Sequence, residues 1–143
     1  MRTYRIVVAL LALAGALHAQ APTRAQRPPV IDGSDADATW QGATKIGGFR
    51  VFDPAEDAEP ALRTDARIAY DEMNLYVFVR AYDPRPDSII ALLSRRDVRT
   101  TSDQIKVMID SYHDRRTGYE FAVNPAGVKR DIYTYDDSQE DAS

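Results

Sequence analysis

Apolar and polar positions alternate with a period of two over much of the second half of the chain, the signature of extended strands. Over residues 75–82, Leu75, Val77, Val79 and Ala81 fall on one side, and Tyr76, Phe78, Arg80 and Tyr82 on the other. Both sides carry bulk, which predicts a central strand covered on both faces. Residues 104–110 alternate more cleanly, with Ile105, Val107 and Ile109 directed inward and Lys106, Met108 and Asp110 outward. Residues 119–124 put Tyr119, Phe121 and Val123 on one face. Residues 128–135 return as the hairpin partner, because Asn124-Pro125-Ala126-Gly127 between them is turn chemistry: proline presets φ and glycine accepts a positive φ.

The remaining elements are shorter. Residues 67–70 predict an extended run, and Asp71-Glu72-Met73-Asn74 a turn into the 75–82 strand. Asp83-Pro84-Arg85-Pro86 ends that strand, since proline cannot extend a central ladder. Residues 88–94 predict a short helix capped by Asp87 or Ser88, with Ile89, Ile90, Leu92 and Leu93 as its apolar side. Ser34 with Asp37 three residues on predicts one helical turn ending near Trp40. Residues 53–59 form an acidic solvated loop, and the polar loop over 110–118 carries both charge signs. Short strands at regular spacing, separated by turn signals, predict an all-β fold, an antiparallel β-sandwich. The polar, acidic residues 136–143 end without a closing strand, so the sandwich is expected to be incomplete at its carboxy-terminal end.

The first nineteen residues belong to a different physical system. Arg2 and Arg5 precede an apolar run over residues 6–17, and Leu17-His18-Ala19 offers a small residue for cleavage before Gln20. The run is shorter than the roughly 20 residues that span a bilayer, which predicts a cleaved signal peptide over residues 1–19 and no membrane span. Residues 20–29, with Pro28-Pro29 and no apolar period, read as a linker, leaving residues 30–143 as the module. Export to the periplasm, the cell surface or the outer membrane is the expected destination.

Composition narrows the chemistry. The 143 residues include no cysteine, which removes disulfides, thiolate metal sites and thiol nucleophiles together. Eighteen basic against 22 acidic residues give a net charge of −4, or −6 once Arg2 and Arg5 are cleaved away, so nucleic acid is not the expected partner. His113 is the one histidine beyond the leader, and it sits in a charged loop with no nucleophile or orienting acid singled out beside it. No catalytic constellation is visible, and the expectation leans away from an enzyme. Asp71, Asp83, Asp97, Asp103, Asp110 and Asp114 lie at strand ends or in loops, where oxygen ligands could gather around Ca²⁺; aspartate is equally an ordinary turn former.

Four segments together resemble the family 9-like carbohydrate-binding modules. They are Pro29-Val30-Ile31-Asp32-Gly33 leading to Trp40; Ala69-Tyr70-Asp71-Glu72 through Leu75-Tyr76-Val77 to Asp83; Ser102-Asp103-Gln104-Ile105 through Ile109-Asp110; and Phe121-Ala122-Val123-Asn124 before Gly127. The resemblance implies a β-sandwich with structural calcium, and a non-catalytic module that holds a glycan or polysaccharide near a partner domain. It makes Trp40, the only tryptophan, a core residue. Family members clamp a sugar ring between two tryptophans; one clamp position falls here at Thr100, a sugar-contacting Glu at Lys106 and an Arg at Ala122, so each has changed. The outward face carrying Lys106 and Met108, with Glu120 and Asn124, is the candidate carbohydrate-binding face.

A narrower likeness runs through Ser94-Arg95-Arg96-Asp97, residues 110–117 and residues 124–131. These look like a group of large bacterial proteins in which such a module precedes a long carboxy-terminal region read as an outer-membrane β-barrel. That likeness implies an alternative function, a structural or interaction domain at the periplasmic side of the barrel with sugar binding lost. It also implies a missing carboxy-terminal region as a partner.

Overall fold

A computed structural model describes residues 21–135 and the backbone of residues 139–142. The leader read over residues 1–19 lies outside the described residues. The chain is all-β, as its alternation predicts, with strands in two four-stranded sheets and one short α-helix among the described residues. It divides into two compact units, Met1–Gly47 with Ala66–Phe78 and Gly48–Asp65 with Val79–Ser143.

In the first unit, β1 (Thr23–Arg24) runs parallel to β3 (Thr64–Tyr70), pairing Thr23 with Ala69, and β2 (Lys45–Ile46) runs antiparallel to it, pairing Ile46 with Ala66. The stretch 20–29 is therefore not all linker. Backbone pairing asks for no apolar period, and the Ala25 N–H extends the pairing by donating to the Tyr70 carbonyl at 2.7 Å. The parallel β1 also departs from a purely antiparallel sheet.

Helix α1 (Ala38–Gly42) carries Trp40 in its middle rather than at its end. Its N-cap, Asp37, makes no side-chain cap bond, because its carboxylate accepts the Val30 N–H at 2.9 Å instead. Trp40 is 2% exposed and packs with Ala25, Ala43 and Ala69, backed by Tyr76 and Phe78. Its ring lies 5.6 Å from that of Phe78. Trp40 is thus core. Three alanines around one indole make a small core in which the aromatic supplies most of the buried apolar area.

Strand β4 (Leu75–Ala81) follows the predicted turn, in which the Asp71 carboxylate accepts the N–H groups of Met73 and Asn74, each at 2.8 Å. β4 pairs with β3 alone among the described residues, and Leu75 and Val77 are exposed. It is not the central, doubly covered strand its bulk suggests: Tyr76 and Phe78 face the core, and the other side is open at Leu75 and Val77.

The second unit holds the antiparallel sheet β5 (Ile105–Ile109), β6 (Gly118–Val123), β7 (Lys129–Tyr135) and β8 (Gln139–Ala142), in that order. The predicted hairpin between β6 and β7 forms, with Gly127 at φ 79° and its N–H donating to the Asn124 carbonyl. β8 corrects the expectation of a tail without a closing strand; an edge strand can be polar, since its ladder bonds are made by the backbone. β7 shares its second edge between two partners. β8 pairs from Ile132 to Tyr135, while Asp97 occupies the remainder, donating its N–H to the Lys129 carbonyl and accepting the Asp131 N–H.

Residues 88–94 form no helix. A single 3₁₀ turn (Pro86–Ser88) is followed by an extended strap. The reason is competition for the backbone. Ile90 N–H donates to the Asp103 carboxylate at 2.8 Å, Leu92 N–H to Ser102 Oγ, and the Ile90 carbonyl accepts from both Ser102 Oγ and the Asp103 N–H. Groups that a helix would pair internally are committed to residues ten or more positions away.

Candidate functional site

The register of the second sheet decides which residues share a side. Met108 lies opposite Glu120, which lies opposite Ile132; Lys106 lies opposite Ala122, which lies opposite Arg130. Lys106, Met108 and Glu120 therefore share a face, but it is the more buried side of the sheet. Ile105, Val107 and Ile109, expected inward, lie opposite the exposed Val123, Phe121 and Tyr119. Residues of the Glu120 side differ sharply in burial. Met108 is 67% exposed, whereas Glu120, Ala122 and Ile132 are buried. Glu120 accepts from Arg130 Nη2 at 2.8 Å and from Lys106 Nζ at 3.2 Å, with the Glu120 and Arg130 side chains each 10% exposed. A buried carboxylate needs such partners to offset its lost hydration. Glu120 thus belongs to a structural ion-pair network, and Lys106 and Met108 are the members of the candidate face that present themselves outward.

Asn124 is committed to the backbone around it. Its Nδ2 donates to the Leu92 carbonyl at 2.7 Å and to Ser102 Oγ, while its Oδ1 accepts the N–H groups of Ala126 and Val128. Both ends of the amide are engaged, one holding the 88–94 strap and the other the hairpin turn.

The positions matching the family's sugar contacts come together in space. Thr100 and Ala122 line one depression with Arg99, Asn124 and Arg130, and Lys106 is the cross-strand partner of Ala122. The depression measures about 20 Å³. That is room for one water, which needs roughly 10–15 Å³, and far below the roughly 300–1,000 Å³ of a ligand pocket. With Thr100 where the resemblance puts a clamp aromatic, the depression itself has no room for a sugar ring.

A larger cleft in the same unit was not foreseen from sequence. It has a volume of about 440 Å³ and is lined by Leu62, Thr64, Tyr82, Asp83, Ile89, Gln104, Ile105 and Asn124, among others. Tyr82, 39% exposed, donates its hydroxyl to Asp65 Oδ2 at 3.2 Å and lies under the Arg63 guanidinium, 4.9 Å from ring centroid to cation. Arg63 in turn grips Asp65 through two bonds of 3.1 and 2.6 Å, which holds the Arg63 guanidinium above its ordinary pKa. The Tyr82 ring is thereby fixed in place. Asp83 accepts the Arg85 N–H at 2.7 Å and Asp103 the Ile90 N–H, so the polar wall of the cleft is braced by backbone bonds. The cleft offers an aromatic ring, aliphatic walls, and hydroxyl, amide and carboxylate groups. No signal within a single segment could have revealed it, because five separate stretches converge on it.

The aspartates read as calcium candidates are engaged by the backbone. Each accepts at least one N–H group, Asp71, Asp83, Asp110 and Asp114 within their own turns and Asp97 and Asp103 across to distant segments. Among the described residues no group of three or more His, Asp or Glu is placed to hold a metal ion. His113 is exposed in its loop.

Fold and cleft define an all-β module whose second unit carries a ligand-sized recess beside the start of β5. Residues 31–140 match the sequence profile of the carbohydrate family 9 binding domain-like family, and the chain belongs to that family. Comparison with curated proteins and with solved structures returned no match.

Proposed function

We propose that this chain is the non-catalytic carbohydrate-binding module of an exported protein, holding a glycan or polysaccharide near a partner domain, and that its ligand enters the cleft beside Tyr82. The observation that carries the proposal is that cleft: about 440 Å³, within the range of ligand pockets, in a chain of carbohydrate-binding-like family. An aromatic ring suits the apolar C–H side of a pyranose, while Thr64, Asp83 and Gln104 suit its hydroxyls. Export rests on the basic and then apolar start of the chain; among the described residues no helix is long and apolar enough to cross a membrane.

A glycan array followed by calorimetry on the full chain tests the proposal. Binding that weakens about tenfold or more in Tyr82→Ala, with the fold intact, is the expected result. A folded chain that binds no glycan overturns it.

A second reading is the interaction domain at the periplasmic side of an outer-membrane β-barrel, with sugar binding lost. Two observations favour it. The depression beside Thr100 and Ala122, where the resemblance puts sugar contacts, has room for about one water, and Tyr119, Phe121 and Val123 leave an apolar sheet side partly open, Phe121 being 48% exposed. Under this reading the folded chain binds no glycan, and Phe121→Asp lowers self-association in sedimentation without lowering Tm.

A further inference from the structure

The Tyr82 cleft is lopsided in charge. Its lining holds two carboxylates, Asp83 and Asp103, and among the described residues that line it there is no Lys, Arg or His. Leu62, Ile89 and Val123 make much of the remaining wall aliphatic, so nothing in the lining answers those two charges.

The bonds that each carboxylate makes leave one of its oxygens open. Asp83 Oδ1 accepts the Arg85 N–H at 2.7 Å, and Asp103 Oδ2 accepts the Ile90 N–H at 2.8 Å. Both donors are neutral backbone groups, and neither carboxylate is ion-paired among the described residues. Asp83 Oδ2 and Asp103 Oδ1 are thus acceptors still to be met, each held in position by the backbone bond on its companion oxygen. The Arg63 guanidinium, stacked on the Tyr82 ring, does not serve them, because Asp65 already grips it through bonds of 3.1 and 2.6 Å. Asn124 has both ends of its amide engaged, which leaves Thr64 and Gln104 as the neutral polar groups of the lining. A cation entering such a recess forms charge-assisted hydrogen bonds about twice as strong as neutral ones, while an anion is repelled.

We propose that the cleft takes an amino sugar, a glycan unit whose free, protonated amine donates to Asp83 and Asp103 while its C–H face lies on the Tyr82 ring. The inference rests on the carbohydrate reading above and adds the class of sugar that the cleft selects.

The test is calorimetry on the full chain with oligomers of glucosamine, of N-acetylglucosamine and of glucose, alike in length and linkage, in buffer acidic enough to keep the amine protonated. Tetralysine serves as a cation that is not a sugar. The glucosamine oligomer is expected to bind at least about tenfold tighter than either neutral oligomer, as one charge-assisted hydrogen bond would give. That preference is expected to vanish in Asp83→Asn/Asp103→Asn at unchanged Tm, since an amide oxygen still accepts the Arg85 and Ile90 N–H groups. Should that variant fold poorly, the parent chain supplies a second measurement. Raising NaCl from about 0.02 to about 0.5 M is expected to weaken binding of the glucosamine oligomer and to leave the neutral oligomers unchanged, because screening then acts within a few Å. A neutral oligomer that binds as tightly as the amine, a preference that survives the double substitution, or binding of the amine that ignores salt overturns the sugar class and leaves the carbohydrate reading standing. Tetralysine binding as tight as the glucosamine oligomer overturns it in favour of a simple cation site. A folded chain that binds none of the saccharides overturns both readings.

Discussion

Glu120 Oε1 accepts a hydrogen bond from Arg130 Nη2 at 2.8 Å, and the two side chains are each 10% exposed. This pair, opposite in charge and diagonal across adjacent strands, sits on the buried side of a sheet whose other side carries Tyr119, Phe121 and Val123. Removing one partner leaves the other charge buried without compensation, which costs about 3–5 kcal/mol. Glu120→Ala is therefore expected to lower unfolding free energy by about that much in denaturant titration. Lys106→Ala, at the more exposed end of the network, is expected to cost under about 1 kcal/mol. Equal effects would mean that the buried pair is not what holds this sheet side.

Trp40 makes a contrasting case, because its role is packing alone. The indole fills the space among Ala25, Ala43 and Ala69 and meets the Phe78 ring. Small neighbours cannot collapse into the void it would leave. Trp40→Ala is expected to cost about 3–5 kcal/mol and Trp40→Phe less. Glycan affinity per folded molecule should stay unchanged in both, since Trp40 does not line the Tyr82 cleft. A specific loss of affinity at full stability would instead make the indole a sugar platform.

The strands of the second half were legible because alternation and turn chemistry agree there: Pro125 and Gly127 mark the hairpin, and Ile105, Val107 and Ile109 alternate with polar positions. Three things were not legible, each because its cause is distant in sequence. Thr23–Arg24 pair by backbone alone, so no side-chain period announces them. Ile89 to Leu93 look like one face of a helix until Ser102, Asp103 and Asn124 claim their backbone groups. Glu120 looks like a surface carboxylate until Arg130 is placed beside it by the strand register. The candidate site followed the same rule. The shared face of Lys106, Met108 and Glu120 was readable from parity, whereas the Tyr82 cleft needs segments whose meeting depends on the whole topology.

Asn124 joins the strap to the hairpin, and its loss should be felt in both stability and binding. Asn124→Ala removes donors to Leu92 and Ser102 and acceptors for Ala126 and Val128, a set worth about 2 kcal/mol in aggregate after solvent exchange. Ile89 and Asn124 both line the cleft, so releasing the strap loosens one wall of it. Expected outcomes are a lower Tm, faster amide exchange at Ile90 and Leu92, and weaker glycan binding. Unchanged exchange at those two amides would show that Ser102 and Asp103 suffice to hold the strap.

Asp71 gives the chain a defined response to acid. Its carboxylate accepts the Tyr76 hydroxyl at 2.6 Å, together with the N–H groups of Met73 and Asn74, and these bonds hold its pKa below the ordinary 3.8. The same hydrogen bond raises the Tyr76 phenol above its ordinary value. A carboxyl whose folded pKa is depressed binds protons more readily when unfolded. Its contribution is complete above about pH 4 and is lost as pH falls through the folded value. Asp71→Asn should therefore lower Tm at pH 7 and flatten the fall in Tm below pH 4. Tyr76→Phe should do the same to a smaller extent, because the backbone donors remain. A fall in Tm as steep in Asp71→Asn as in the parent chain would assign the acid sensitivity to another carboxylate, Asp114 first, whose pKa is lowered by the N–H groups of Arg116 and Thr117.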